Sequence, residues 1–186
     1  MGRVKLMIKS VDERGKSKNE QDQFDGLTIR EHLVPGDLGY LAYLHAKMYH
    51  AECGYDLEFE GYVCKTFYEF TQRYSPEGDR FFIAEKDGMI IGNIAILGHS
   101  EKEAQLRWFL ILPEYRGVGL GREIFERAIE YCRLKGYKKV WLLTTDDQEK
   151  ATAMYVRQGF KRVSEEQISM WGRQLVERKF ELPIDL

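Results

Sequence analysis

Three glycines and an arginine form the segment of this sequence with the clearest chemical meaning. The run Arg116-Gly117-Val118-Gly119-Leu120-Gly121 lies between a predicted strand and a predicted long helix. The first turn of a helix carries unpaired backbone N–H groups and a partial positive charge, which attract phosphate. Glycines let a phosphate approach the backbone, and Arg116 adds a cation. The segment is therefore predicted to bind a phosphate or pyrophosphate group.

Two common phosphate-binding motifs do not fit this segment. A Rossmann fingerprint requires the pattern G-x-G-x-x-G, but Arg122 and Ile124 stand where its third glycine would fall. A Walker A loop requires Gly-Lys-Ser/Thr, and Gly121 is followed by Arg122-Glu123. A glycine turn that serves only chain geometry stays open at this point.

The segment does fit Gln/Arg-x-x-Gly-x-Gly/Ala, and it resembles the pyrophosphate loop of the GNAT acetyltransferases. The residues before it, Leu110-Ile111-Leu112-Pro113-Glu114-Tyr115, resemble the passage that leads into that loop. Downstream, the family segment A-x-x-x-Y-x-x-x-G-F is similar to Ala151-Thr152-Ala153-Met154-Tyr155-Val156-Arg157-Gln158-Gly159-Phe160. The resemblance covers nearly the whole chain after Gly26.

This resemblance implies an N-acetyltransferase that uses acetyl-CoA and no metal. It also implies that the strand before Pro113 splays from its neighbour, so that backbone groups of Leu110 and Ile111 are free for the pantetheine amides. One such N–H would face the thioester carbonyl, a contact worth roughly 3 kcal/mol in a preorganised site. The residues expected to bind the cofactor are Leu110, Ile111, Leu112, Arg116, Gly117, Val118, Gly119, Leu120, Gly121 and Arg122.

Tyr155 is the candidate general acid. The departing CoA thiolate must gain a proton, and a thiol pKa of about 8.5 is within reach of a phenol pKa of about 10. Its position before Gly159-Phe160 matches the family segment. A tyrosine that only packs its helix against the sheet is the alternative.

The general base stays open. His45, His50 and Glu52 fall on or after the first predicted helix, where this fold builds its acceptor pocket, and Glu114 lies beside the loop. A water relay, or an amine that arrives partly neutral, would need no dedicated residue.

Other residues near the expected site have two readings each. Arg107 can bind an acceptor carboxylate bidentately, or it can be an outward or ion-paired arginine. Trp108 and Trp141 are predicted to be core. Aromatic residues that wall the acceptor pocket, or else belong to the core, are Tyr49, Tyr55, Phe59 and Tyr62.

Several further segments resemble one GNAT subgroup, whose domain is often fused to a MarR-type winged helix. They are residues 35–39, 49–56, 59–63, 104–107 and 172–182. Residues 1–25 are too few for a winged helix, so a DNA-reading role is not expected. Many family members contact the pantetheine arm with an asparagine seven residues before the helix tyrosine. Gln148 occupies that place here, and the subgroup's Trp-Thr-Asn reads Leu143-Thr144-Thr145.

Apolar periodicity and turn residues predict the elements that position these groups. Asp37 is the predicted N-cap of a first helix, and further helices are expected at about 58–74, 119–135 and 148–157. Strands are expected at 27–30, 80–85, 89–97, 104–112, 139–144, 160–168 and 172–182, with a tight hairpin at Asp87-Gly88. Residues 139–144 are almost continuously apolar, which predicts burial on both faces.

The order β-α-α-β-β-β-α-β-α-β-β predicts one mixed α/β (α+β) domain over residues 26–186. The GNAT resemblance implies a mixed central sheet of about six or seven strands flanked by about four helices. Residues 1–25 are polar, mixed in charge and aperiodic, and they are expected to form a flexible tail.

Composition indicates the expected cellular compartment and the expected classes of binding partner. With 44% apolar residues, 31% charged residues and a net charge of −2, the chain is typical of a globular protein, and neither nucleic acid nor membrane is expected as a partner. No signal peptide or spanning apolar run is evident, and three cysteines without framework or zinc-ligand spacing indicate a reducing, cytoplasmic setting.

The leading prediction is direct transfer of an acetyl group from acetyl-CoA to a small-molecule or peptide amine in a ternary complex. A non-catalytic acyl-CoA sensor is the alternative, and a dehydrogenase with a degenerate dinucleotide loop is a third. We also expect that the C-terminal strands can pair across a homodimer.

Overall fold

A computed structural model describes residues 26–184 of the chain. Its strands are β1 (Thr28–Arg30), β2 (Arg80–Lys86), β3 (Met89–Gly98), β4 (Glu103–Ile111), β5 (Lys139–Thr145), β6 (Lys161–Met170) and β7 (Arg173–Pro183). Its helices are α1 (Asp37–Cys53), α2 (Leu57–Arg73), α3 (Leu120–Lys135) and α4 (Glu149–Arg157). The predicted order and mixed α/β class are confirmed. The predicted flexible tail at residues 1–25 lies outside the described residues.

All seven strands form one sheet in the order β1-β2-β3-β4-β5-β7-β6. Neighbouring strands are antiparallel except for β4 and β5, which run parallel. The expected hairpin between β2 and β3 is present, since Asp87 and Gly88 have φ angles of 50° and 76°. A second turn of this kind, at Trp171 and Gly172, joins β6 to β7.

Helices cover both faces of the sheet and produce two cores. On one face, α1 and α2 bury residues such as Leu41 and Phe67 against β2 to β4. On the other face, α3 and α4 bury residues such as Phe125 and Tyr155. The two cores therefore lie on opposite faces of the same sheet.

The predicted N-cap of α1 was wrong. Gly36 occupies that position, with a φ of 103°, and Asp37 is the first helical residue. The carboxylate of Asp37 instead accepts two hydrogen bonds from Arg30, at 2.6 and 2.7 Å, and one from the N–H of Val34. A buried carboxylate is stabilised more by an arginine fork than by the helix end alone, and this partner is a tertiary contact that the local sequence does not show.

The predicted burial of β5 on both faces was also wrong. Burial alternates along the strand: Val140 and Leu142 are buried, whereas Leu143 is 43% exposed and Trp141 is half-buried. Trp141 is therefore not a core residue, and it lies beside His99 with 5.1 Å between ring centroids. The core assignment of the other tryptophan, Trp108, is confirmed.

β6 lies at one edge of the sheet, and most of its side chains are exposed. Pairing of this edge across a homodimer stays a prediction. Within residues 26–184, no helix is both long enough and apolar enough to cross a bilayer.

Candidate active site

A cleft opens where the two parallel strands, β4 and β5, part from each other. Their pairing ends at Gln105 and Trp141, although β4 continues to Ile111 and β5 to Thr145. Beyond that point a cavity of about 580 Å³ lies between the strands, with α1, α2, the glycine loop and α4 completing its walls. The register thus confirms the splay that the sequence resemblance implied.

A β-bulge bends β4 inside the cleft. The register between β3 and β4 shifts between Asn93 and Ala95, and Trp108 has a positive φ of 49°. Asn93 is fully buried, and its amide donates a hydrogen bond to the carbonyl of Trp108. Bulges of this kind redirect backbone groups and are common beside active sites.

Backbone groups of β4 alternate between β3 and the cleft. The N–H of Leu112 donates to the carbonyl of Ile91 in β3, whereas the carbonyl of Ile111 accepts from Arg116 Nε at 2.8 Å. Ile111 therefore turns its backbone toward the cleft, and Leu110 turns its backbone toward β3. Of the two residues expected to pair with a pantetheine arm, the register favours Ile111.

The glycine loop leaves the start of α3 open. Gly117 and Gly119 have φ angles of 77° and 95°, and a Cβ added to either would meet no atom within 4 Å. Gly119 is the N-cap of α3, and among residues 26–184 no side chain caps this helix end. The N–H groups of the first turn therefore face open space, which is the arrangement that binds an anion.

Both arginines predicted to bind the cofactor hold other partners in this structure. Arg116 Nη2 lies 2.8 Å from Glu52 Oε1 of α1, while its Nε binds the carbonyl of Ile111. Arg122 is exposed and pairs with Glu126 one turn along α3. The pair of Arg116 and Glu52 is more than a third exposed, so that its contribution is at most about 1 kcal/mol and Arg116 can exchange partners readily.

Most of the residues predicted to bind the cofactor line the cleft, namely Leu110, Ile111, Arg116, Gly117, Gly119, Gly121 and Arg122. Three others do not. Leu120 is buried in the core, and Leu112 and Val118 pack against it. For Leu120, which is 2% exposed, only backbone groups are left to contact a ligand.

Tyr155 lies on α4 and lines the cleft. Its side chain is only 6% exposed, and its ring packs near Phe109 and Phe160. Burial, with a smaller contribution from nearby Tyr49, raises the pKa of the Tyr155 hydroxyl far above its ordinary value. Within the described part of the chain this hydroxyl has no hydrogen-bond partner. At neutral pH it is therefore a protonated phenol that is free to donate.

Aromatic side chains form the other half of the cleft, which we call the acceptor half and define by Tyr49, Tyr55, Phe59, Tyr62 and Trp171. The ring of Trp171 lies 4.9, 5.0 and 5.3 Å from the rings of Tyr55, Phe59 and Tyr62. Tyr55 and Phe59 line the cleft and are also buried in a core, so that the two predicted roles, pocket wall and core residue, are compatible. Trp171 was missed by sequence reasoning, and its only local signal is the Trp-Gly turn that it begins.

The candidate bases occupy different places. Glu52 lines the cleft, whereas His50 and Glu114 do not. His50 is instead bound through Nδ1 to the carbonyl of Tyr55. Glu177 of β7 also lines the cleft, although sequence reasoning missed it, and burial together with Glu166 raises the pKa of its carboxyl. Glu52 and Glu177 are therefore the acidic residues that line the cleft among those the structure describes.

His45 also lines the cleft, but it is a weak base. It is 3% exposed, and burial lowers its pKa to about 4, so that the ring is neutral at pH 7. Nδ1 donates to the carbonyl of Leu41 at 2.8 Å. Nε2 is buried and has no partner among residues 26–184, so that it can accept a hydrogen bond but holds a proton poorly.

Burial of His45 predicts how the stability of the protein depends on pH. Because the pKa of His45 is about 4 in the folded chain and about 6.5 in an unfolded one, the unfolded state binds the extra proton between these values. The free energy of unfolding should therefore fall by up to about 3 kcal/mol as the pH drops through this window. Urea unfolding of His45→Gln should lack most of that fall. The exposed-residue variant His32→Gln is the control, and an equal loss of pH dependence in both variants would contradict the assignment.

Thr145 and Gln148, which stand near the position of the usual pantetheine-contacting asparagine, both line the cleft. The hydroxyl of Thr145 is bonded to Asp147 at 2.7 Å and to the hydroxyl of Tyr55 at 2.8 Å. Gln148 precedes α4 and donates its amide to Cys53 Sγ. Of the two, Gln148 holds the weaker partner and is the freer to turn toward a ligand.

The titratable groups show no metal centre. In the part of the chain that the structure describes, no three His, Cys, Asp or Glu side chains come together as a metal site would require. Cys53, Cys64 and Cys132 are free thiols.

Comparison with known proteins identifies the family. A sequence profile described as the Acetyltransferase (GNAT) family matches residues 45–160, which is more than half of the chain. The chain belongs to the GNAT family. The matched segment is an acyltransferase domain, and GNAT enzymes use acetyl-CoA as the acyl donor, which decides against a dehydrogenase. The resemblance to the subgroup fused to winged helices stays a prediction.

Two curated relatives are similar over part of their length. The uncharacterised N-acetyltransferase YjgM of Escherichia coli is 34% identical over 98 residues, which are 51% of this chain and 59% of YjgM. Human N-acetyltransferase 8 is 27% identical over 117 residues, which are 60% of this chain and 52% of the relative. This chain thus spans only between half and three fifths of the length of these relatives.

Solved structures show the same fold. An acetyltransferase from Streptococcus agalactiae superposes with a TM-score of 0.71 and 26% identity, covering 86% of this chain and 99% of that one. A spermidine N-acetyltransferase from Vibrio cholerae, solved with CoA and spermine, gives a TM-score of 0.63 at 20% identity, covering 86% and 96%. At that identity, the second comparison shows the fold alone.

Proposed function

We propose that this GNAT domain moves an acetyl group from acetyl-CoA directly to an amine of a small molecule or peptide, with both substrates bound in the cleft at once. The observation that carries the proposal is the continuity of the cleft. It joins the open start of α3 at Gly119, the unpartnered hydroxyl of Tyr155 and the aromatic acceptor half. A donor and an acceptor can therefore meet beside the tyrosine without a covalent enzyme intermediate.

The donor would be held mainly by backbone groups. N–H groups at the start of α3 suit the pyrophosphate, and the cleft-facing backbone of Ile111 suits the pantetheine arm. Acetyl-CoA would carry the acetyl group, and these backbone groups of the chain would hold it in position in the cleft. The bulge at Trp108 lies between these groups and the acceptor half, where a backbone N–H can face the thioester oxygen.

Arg116 would have to leave Glu52 in order to reach the pyrophosphate. Glu52→Gln is therefore expected to lower the Kd for acetyl-CoA by about two- to fivefold, because Arg116 no longer has to leave a carboxylate. Isothermal titration with acetyl-CoA measures this. Glu130→Gln, which removes the surface pair with Arg133, is the control. Equal or weaker binding by Glu52→Gln would mean that Arg116 does not move to the phosphates.

Tyr155 would protonate the departing thiolate. Burial raises the pKa of this phenol, but a thiolate in the same cleft is desolvated too, and its pKa rises for the same reason. The raised pKa keeps the Tyr155 hydroxyl protonated at neutral pH, which is the form that can donate a proton to a thiolate.

The proposal is tested by two measurements on the same protein. Titration with acetyl-CoA should give micromolar binding, and thiol release should then depend on an added amine from a panel of amino acids, alkylamines and peptides. Binding without amine-dependent thiol release would favour the non-catalytic sensor. An absence of acetyl-CoA binding would reject both functions.

A further inference from the structure

Arg107 places a positive charge in the cleft, close to the point where β4 and β5 separate. It lies on β4 two residues past Gln105, where β4 and β5 separate, and it is half-buried. Its Nη2 donates to the hydroxyl of Tyr62 at 3.1 Å, and its guanidinium lies 4.8 Å from the centre of the Trp108 ring. No carboxylate of residues 26–184 forms an ion pair with it. A half-buried guanidinium held by a phenol and an indole keeps several N–H donors available for a ligand.

Two further donors near this end of the cleft also lack acceptors. The indole N–H groups of Trp108 and Trp171 are buried without a partner in the described part of the chain, and both residues line the cleft. Buried donors are normally satisfied, so that each calls for an acceptor that the chain itself does not supply. His45 Nε2 and Asn93 Oδ1 are buried acceptors that also lack a partner among the described residues, and the carboxyl of Glu177 lines the same cleft. The structure pairs neither indole N–H with any of these acceptors.

The distance along β4 separates this charge from the phosphate end of the cleft. Ile111 lies four positions after Arg107 along the strand, which corresponds to roughly 13 Å. Arg116, Arg122 and the start of α3 are therefore the groups that serve the cofactor phosphates. Arg107 is left to serve the acceptor.

We propose that the acceptor amine also carries a carboxylate, and that Arg107 binds this carboxylate as a specificity-determining residue. The inference rests on the proposed acetyl transfer and names its substrate class. An arginine fork matches a carboxylate bidentately, and the unpaired indole N–H groups can add donors. A polyamine would instead bring further positive charge to an arginine that already lacks a counter-ion.

The experiment compares amines in pairs that differ only by the carboxylate. Suitable pairs are glycine with methylamine, γ-aminobutyrate with propylamine, phenylalanine with phenethylamine and tryptophan with tryptamine. For each pair, the ratio of kcat/KM for the acid to kcat/KM for the amine is measured in the wild type and in Arg107→Met. The comparison between proteins cancels the intrinsic difference in basicity between the two amines.

We expect the ratio for the best pair to fall at least about tenfold in Arg107→Met, with a smaller fall in Arg107→Lys, which keeps the charge and loses the fork. Arg133→Met removes an exposed arginine on α3 and should leave the ratio unchanged. Circular dichroism and acetyl-CoA titration of each variant establish that it is folded and loaded.

The outcomes separate the two proposals. A change in the ratio of less than about threefold in folded Arg107→Met, or the absence of acetylation for every carboxylate-bearing amine, overturns the assignment of Arg107 while acetyl-CoA binding still stands. A wild-type protein that binds no acetyl-CoA instead overturns the acetyl-transfer function on which this inference rests.

Discussion

Replacing Gly119 by valine is expected to weaken acetyl-CoA binding by at least about a hundredfold. Gly119 holds a φ of 95° at the start of α3, in a region where a β-branched residue is strained by roughly 1–2 kcal/mol. Relief of that strain would turn the first N–H groups of α3 away from the phosphate. The valine side chain would also occupy the open space in front of the helix. Loss of one or two charge-assisted hydrogen bonds, each worth about 1.5–3 kcal/mol, accounts for the hundredfold.

The opposite end of the same helix offers a matched control. Gly136 also has a positive φ, 79°, and a Cβ added there would likewise meet no atom within 4 Å. Gly136→Val should therefore lower the Tm to a similar extent as Gly119→Val but leave the Kd for acetyl-CoA unchanged. Isothermal titration and thermal unfolding of both variants decide the point. If the two variants bound acetyl-CoA equally well, the assignment of the cradle would fail.

The sequence predicted the elements well because their signals are local. Asp87-Gly88 specifies a tight turn through its own backbone preferences, and Gly136 ends α3 in the same way. The two errors, at Asp37 and in β5, have a different origin. Asp37 pairs with Arg30, which lies seven residues earlier on a different element, β1, and the exposure of Leu143 depends on what packs against β5 in the folded chain. Neither feature follows a helical or strand repeat.

The candidate site also combines features that have a local sequence signal with features that arise only from tertiary contacts. The loop was predictable because a phosphate cradle is a short local motif. The contact of Arg116 with Glu52 joins residues 64 positions apart, and no local pattern could have shown it. Trp171 and Glu177 come from the terminal hairpin, which reaches the cleft only because β7 pairs with β5. The acceptor half therefore had to be found in the structure.

Tyr155→Phe is the variant expected to lower kcat the most among single-atom changes in the cleft. The phenyl ring keeps its packing against Phe109 and Phe160, so that only the proton donor is lost. General acid catalysis contributes about 10²–10⁴-fold, and we expect a fall of that size in kcat. The Kd for acetyl-CoA should change by less than about threefold, because the hydroxyl has no partner in the cleft to lose. Single-turnover thiol release, with binding measured separately, resolves the two effects.

Tyr137→Phe is the control, because it also removes a buried tyrosine hydroxyl. That hydroxyl donates to the carbonyl of Gly78 outside the cleft, and its loss should cost about 1 kcal/mol of stability without affecting kcat. Tyr49 lines the cleft and interacts electrostatically with Tyr155, which makes it the first alternative phenol to test as the acid. Unchanged turnover in Tyr155→Phe together with a large loss in Tyr49→Phe would transfer the role to Tyr49. Unchanged turnover in both variants would mean that the thiolate leaves unprotonated and that Tyr155 only packs α4 against the sheet.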